Sequence, residues 1–154
     1  MAVISKDVPL VEITLRRYEK PSVNDRDLVR KLCLSTGLLQ PGDSRDVIVD
    51  VLYVLLKAFK GKKEMNSEEV RDEVIQSRRG FNLTLVGVAS SNIRRQLKRL
   101  RDMYIVEKNV NNYRITEFVS LTETFEEKVE QFLLTQVLSR VKDYYKEVDE
   151  KFLK

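Results

Sequence analysis

The sequence predicts a mainly helical protein with a small two-stranded β element and a long C-terminal helix. Three observations carry that expectation. Val47 to Phe59 is almost wholly apolar, too long for one strand and right for a buried helix. Two short alternating segments, YIVEK and NYRIT, flank the turn-like NVNN. Thr122 to Phe152 reads as one long helix, and from Leu134 to Phe152 its apolar residues recur at intervals of 4, 3, 4, 3, 4.

The totals agree with a folded domain. The chain has 154 residues, 42% hydrophobic and 34% charged, enough for one domain with a real core. No apolar run reaches the ~18–20 residues of a membrane span. Lys6, Asp7, Glu12, Arg16 and Arg17 interrupt the first thirty residues, so no signal-peptide stretch is read there, and a cytoplasmic protein without membrane contact is expected. Cys33 is the only cysteine, and there is no histidine. A Cys/His zinc site, Ser-His or Cys-His catalysis and a histidine pH switch are thereby excluded. Acids are scattered at helix-surface positions, so no catalytic residue, metal site or cofactor is predicted.

Taken in order, Leu10 to Tyr18 alternates (Val11, Ile13 and Leu15 against Glu12, Thr14 and Arg16) and is expected to be a strand. Asn24 or Asp25 opens a short helix that turns Leu28, Leu32 and Cys33 inward and closes at Gly37. Gln40 to Asp43, QPGD, is a turn. Asp43 or Ser44 is expected to cap the apolar helix, with Gly61 as its stop. Lys62 to Met65 is short enough for a small strand. Asn66 and Glu69 have the spacing of a capping box, opening a helix that buries Val70, Val74 and Ile75 and ends at Gly80. The segment from Gly80 to Ala89 is a long connection carrying Phe81, Leu83, Leu85 and Val86. Packed insertion, effector pocket and dimer contact are all open for it.

Ser90 to Met103, SSNIRRQLKRLRDM, carries Arg94, Arg95, Lys98, Arg99 and Arg101. At about 100° per residue, Ile93, Leu97 and Leu100 fall within a narrow arc, the core face. Ser91, Arg95, Lys98, Arg99 and Asp102 lie opposite; Arg94 and Arg101 flank one side, Asn92 and Gln96 the other. From Arg78 to Lys108 eight cations meet two acids, a balance of +6, against a whole-chain net charge of +4. From Glu123 onward eight acids meet six bases. One surface therefore suits a polyanion and another does not.

The run of helix, short strand, helix, connection, basic helix and hairpin resembles the winged helix-turn-helix superfamily. The residues that carry the resemblance are VGVASSNIRRQLKRLRDMYIVEKNVNNYRIT, 86–116, and it covers roughly Ser44 to Phe118. Met103-Tyr104 stands where such proteins often have a glycine. Three parts are expected: residues 1–43 as an N-terminal strand and helix extension, 44–118 as the winged-helix domain that the resemblance implies, and 119–154 as a long dimerisation helix. The resemblance also implies that Ser90–Met103 is a recognition helix and Tyr104–Thr116 a wing. The expected DNA-contacting residues are Ser90, Ser91, Asn92, Arg94, Arg95, Lys98, Arg99, Arg101, Lys108 and Arg114. Arg95 and Arg99 are placed to read guanine, Arg94 and Lys98 to neutralise phosphates, and Ser91 and Asn92 to hold one phosphate at the helix start.

The terminal helix has two readings. Its seam (Leu134, Leu138, Val141, Tyr145, Val148 and Phe152) folds back on the Val47–Phe59 helix, or it pairs with a second copy. The second is favoured, because the helix offers more apolar surface than so small a domain covers. The expected function is sequence-specific binding of double-stranded DNA by a homodimeric transcription regulator. The alternative is a winged-helix module that docks on a protein of a replication or transcription complex.

Overall fold

A computed structural model describes residues 11–17, 20 and 24–154. Its centre is α2 (Val47–Phe59). Val47, Ile48, Val49, Val51, Leu52, Val54 and Leu55 are all buried. A helix with so little solvent face needs neighbours on most sides. Here they are α1 (Asp25–Ser35), α3 (Ser67–Gly80), α4 (Ser90–Asp102) and one strand of the sheet.

That sheet has three antiparallel strands, β1 (Met65–Asn66), β2 (Val106–Asn109) and β3 (Asn112–Ile115), in the order β1-β3-β2. Val106 pairs with Ile115, Asn109 with Asn112 and Met65 with Tyr113. This register turns Met65, Val106, Tyr113 and Ile115 into the core together. The turn residue that takes the left-handed conformation is Val110, at φ 58°, rather than one of its asparagine neighbours.

Local chemistry sets several helix ends. Asn66 accepts from the Glu69 amide at 2.9 Å, and Glu69 accepts from the Asn66 amide at 3.3 Å, the reciprocal box its spacing predicts. The Asn24 side chain caps α1 by accepting from the Arg26 amide at 2.9 Å. Gly37, at φ +74°, follows the end of α1; a Cβ there would run into the carbonyl oxygen of Glu12.

Four expectations are corrected. Residues 11–17 form no strand and are tied to the body by the Thr14 amide donating to the Ser35 carbonyl; Leu10 and Tyr18 lie outside the described residues. In α1 Cys33 is buried and Leu32 packs on the core as expected, but Leu28 is half exposed and Val29 takes the inward place, on the side where Arg26 also reaches in. α2 starts at Val47, beyond Asp43 and Ser44, and its N-cap Asp46 makes no capping bond. The C-terminal helix is not one uniform α-helix. A short α5 (Leu121–Thr124) runs into a π-helical segment, Phe125–Leu133, before α6 (Leu134–Phe152).

The Asp46 carboxylate is engaged elsewhere. Arg26 grips Asp50 with two parallel bonds, Nε to Oδ1 at 2.9 Å and Nη2 to Oδ2 at 3.0 Å, and also reaches Asp46 at 2.9 Å. Arg78 of α3 donates to Asp50 at 2.6 Å and to Asp46 at 3.0 Å. Asp50 is fully buried, and Arg26 and Arg78 are nearly so. Burial opposes the charge on Arg26, but the hydrogen bonds and charges of Asp50 and Asp46 outweigh it and hold its pKa above the ordinary value. Burial likewise opposes ionisation of Asp46, yet bonds from Arg26 and Arg78 win and lower its pKa. Burial above all pushes the Cys33 thiol up to about 12, so it stays protonated and inert.

The base of the long helix is anchored and its remainder is not. Leu121, Thr124, Phe125 and Val129 face Leu32, Thr36, Met103 and Ile105 around an apolar cavity of about 50 Å³. From Thr135 to the end every residue is exposed. α6 therefore does not fold back on α2. Among the described residues no helix is long and apolar enough to cross a membrane.

Two outcomes follow from the buried network. Asp50→Ala leaves two guanidinium groups without their shared carboxylate, and urea unfolding should show a loss of about 3–5 kcal/mol. Asp46 has a folded pKa below its unfolded value of about 3.9. Its contribution is present above that value and is lost as pH falls through the folded pKa. Unfolding free energy should therefore decline as pH drops below about 4, and Asp46→Asn should flatten that decline when unfolding curves are compared across pH.

Candidate nucleic-acid interface

α4 buries Ile93, Leu97 and Leu100 completely, the stripe expected from its periodicity. Its placement depends on the connection before it. Arg71 and Arg78, two turns apart on α3, donate to the carbonyls of Val88 (2.7 Å) and Thr84 (2.6 Å). The connection is thus clipped to α3 at two points, and Phe81 packs edge-on against Tyr53 at 5.9 Å between ring centres. Gly87, at φ +86°, makes the last bend; a Cβ there would stand 3.2 Å from Val47 Cγ2 and 3.4 Å from Asn92 Nδ2. The Asn92 side chain donates to the Gly87 carbonyl at 2.6 Å and so locks the bend to the first turn of α4. Ala89 is the N-cap and no side chain caps the helix, so its first amides face outward uncapped.

The polar residues of α4 divide into two groups. Arg94 and Arg101 are exposed, and their side chains make no hydrogen bond or ion pair among the described residues. Lys98, also exposed, pairs with Asp102 at 3.2 Å, a surface contact of small energetic weight. Ser91 is exposed and Ser90 half-buried beside them. The second group is already engaged. Asn92 Oδ1 accepts from Arg95 at 2.7 Å and from Gln96 at 3.0 Å. Arg99 donates to Gln96 Oε1 at 2.9 Å and to the Leu38 carbonyl at 2.8 Å. Of the two arginines expected to read bases, Arg95 is exposed, while Arg99 is half-buried and turned towards the 38–45 loop.

The hairpin brings little free charge. Arg114 is held by Glu107 at 2.6 Å and Glu64 at 3.1 Å and lies 5.1 Å over the Phe118 ring. Lys108 is exposed, its ammonium 5.7 Å from the Tyr113 ring. Tyr104, at the position where winged-helix proteins often carry a glycine, takes a positive φ of 62°. Arg78, one of the eight cations between Arg78 and Lys108, is buried in the Asp46–Asp50 network and adds nothing to this surface.

Sequence reasoning missed one cation of the neighbourhood. Arg45 lies in the loop before α2, yet it lines a cleft of about 280 Å³ together with Asn92, Arg95, Gln96 and Arg99. An isolated arginine in QPGDSRD gives no signal, because its neighbours in space stand some fifty positions further along the chain. Among the described residues no group of three or more His, Cys, Asp or Glu is arranged to hold a metal. The apolar seam of α6, expected to pair with a second copy, is presented to solvent: Leu138, Val141, Tyr145, Val148 and Phe152 are each about half exposed or more, and Leu134 is half-buried.

No protein-family model matches the chain, and neither a curated protein nor a solved structure shows significant similarity to it.

Proposed function

We propose that the chain is a winged-helix protein that binds double-stranded DNA as a homodimer and regulates transcription. One observation carries the reading. α4 sets its apolar stripe wholly in the core and holds Arg94, Arg95, Lys98 and Arg101 on the exposed side, next to a β-hairpin and after a helix that fixes its start. Such a helix suits a major groove, with cations against phosphates and Arg95 nearest the bases. With Arg99 turned to the Leu38 carbonyl and Arg114 held by Glu107 and Glu64, base reading rests on the exposed Arg95, which would keep or give up a single bond to Asn92, and the hairpin adds Lys108 alone.

The exposed seam of α6 supports the dimer. Leu138, Val141, Tyr145, Val148 and Phe152 form one continuous apolar line in water, larger than the scattered apolar residues of an ordinary surface. A two-fold pair sets its recognition helices about 34 Å apart, so the site is a palindrome with half-sites one turn of DNA from each other.

Duplex affinity measured by fluorescence anisotropy should fall steeply with salt. Arg94→Ala combined with Lys98→Ala should reduce the slope of log K against log salt by about 0.9 for each phosphate that is no longer neutralised. Binding indifferent to salt, or none, sinks the reading. Selection from a random duplex pool should return a palindrome. In sedimentation the full chain should run as a dimer, and Leu138→Glu with Val148→Glu should convert it to a monomer. A wild-type monomer without duplex affinity would point instead to the protein-docking module.

A further inference from the structure

We propose that the cleft between α4, the 38–45 loop and the bend at Gly87 is an oxyanion site, seated on Arg45, Arg95 and Arg99. Its occupant is a tetrahedral oxyanion such as phosphate, supplied either by the DNA backbone or by a free small molecule. The first source rests on the proposed function above and moves Arg95 from a base to a backbone phosphate; the second stands without it.

The balance of donors and acceptors carries the inference. The cleft, about 280 Å³, has room for a phosphate group with some of its water. Several of its acceptors already hold a donor. The Leu38 carbonyl and Gln96 Oε1 take Arg99, the Gly87 carbonyl takes Asn92, and Asn92 Oδ1 takes both Arg95 and Gln96. The one carboxylate on the wall, Asp43, already accepts from the Gln40 amide at 3.1 Å. Donors are in surplus. Arg45 is exposed and makes no hydrogen bond or ion pair among the described residues. A guanidinium offers five N–H groups, and Arg95 and Arg99 each retain some after their internal bonds. Three cations against one acid leave the cleft positive. Leu38, Leu39, Val47 and Val86 form apolar walls that lower the local dielectric and strengthen any ion pair inside. The uncapped start of α4, at Ser90 to Asn92, adds its positive end at the same rim. A group with several acceptor oxygens, negative charge and no need to donate is the chemical complement of this lining.

Arg45 is the position to change, because it is exposed and holds nothing in place. The full chain and Arg45→Gln are each titrated with inorganic phosphate, with chloride at matched ionic strength as control, following amide shifts by NMR. Both are then titrated with duplex DNA over a range of salt. Saturable phosphate shifts at residues 45, 87 and 92–99, weakened about tenfold or more in Arg45→Gln, together with phosphate competing against duplex at constant ionic strength, identify a free anion as occupant. Absence of saturable phosphate binding, with the duplex salt slope reduced by about one in Arg45→Gln, identifies the DNA backbone. Saturable, Arg45-dependent phosphate binding in a chain that binds no duplex upholds the site and defeats the DNA reading. If Arg45→Gln changes neither titration the site is overturned, even where Arg94→Ala and Lys98→Ala still weaken duplex binding.

Discussion

The fold hangs on four charges, three of them buried and the fourth, Asp46, partly so. Asp46 at the N-cap of α2 and Asp50 within it stand one turn apart, and Arg26 from α1 and Arg78 from α3 close on them from two sides. An aspartate with no exposed surface is untenable alone, since isolated burial of a charge costs far more than the whole stability of a domain. Once both arginines are present the four charges cancel and the polar atoms find partners. Net stability gained over an apolar replacement is small for such groups. What they determine is arrangement. An apolar α2 would slide or rotate against its neighbours at little cost, whereas two guanidinium groups that each bridge both aspartates accept one position. The residues from 24 to 39 thereby belong to the same core as α2, with Val29, Cys33, Leu38 and Leu39 packed in it.

The consequences run outward from that point to the surface. Arg78 also holds the Thr84 carbonyl, and Arg71 holds Val88 two turns earlier on α3. Between the two clips the chain must reverse, which Gly87 permits at a φ that a side chain resists. Asn92 then fastens the bend to α4. The direction in which Arg95 and Arg99 leave the helix is set by this sequence of bonds. Lateral position divides the face. One side meets the 38–45 loop and becomes the polar wall of a cleft; the other, with Arg94 and Arg101, faces open solvent.

How much of this the sequence announces depends on the range of the interaction. The Asn66–Glu69 box spans three residues and is legible as written. The apolar run of α2 and the Ile93–Leu97–Leu100 stripe are legible because periodicity reports burial directly. Asp50 is not, since a single acid in an oily helix reads as the solvated position. Arg78 misleads for the same reason, counted as surface charge when its partners stand 28 and 32 residues away. Alternation in 11–15 predicts a strand, but a strand needs an edge to pair with, and these residues meet the C-terminal turn of α1 instead. Arg99 looks solvent-facing by its angle on the wheel. The wheel knows nothing of Leu38, brought beside it from 61 residues away.

α6 poses the remaining physical question, because a 19-residue helix without tertiary cover gains little from propensity alone. Its seam places Leu138, Tyr145 and Phe152 at one core position of the heptad and Leu134, Val141 and Val148 at the other. The flanking positions then hold Thr135, Lys142 and Asp149 on one side and Val137, Tyr144 and Lys151 on the other. In a parallel pair Lys142 of one copy comes beside Val137 of the second, and Asp149 beside Tyr144, so no like charges meet. An antiparallel pair that uses all six seam residues sets Lys142 against Lys142 of the second copy, which is repulsive. Charge thus favours the parallel arrangement, in which both copies leave the seam at the same end, through Val129 and its anchor on α1 and the turn after α4. In the proposed dimer that arrangement would keep both α4 helices at one end of the pair, the placement that the proposed palindromic site needs.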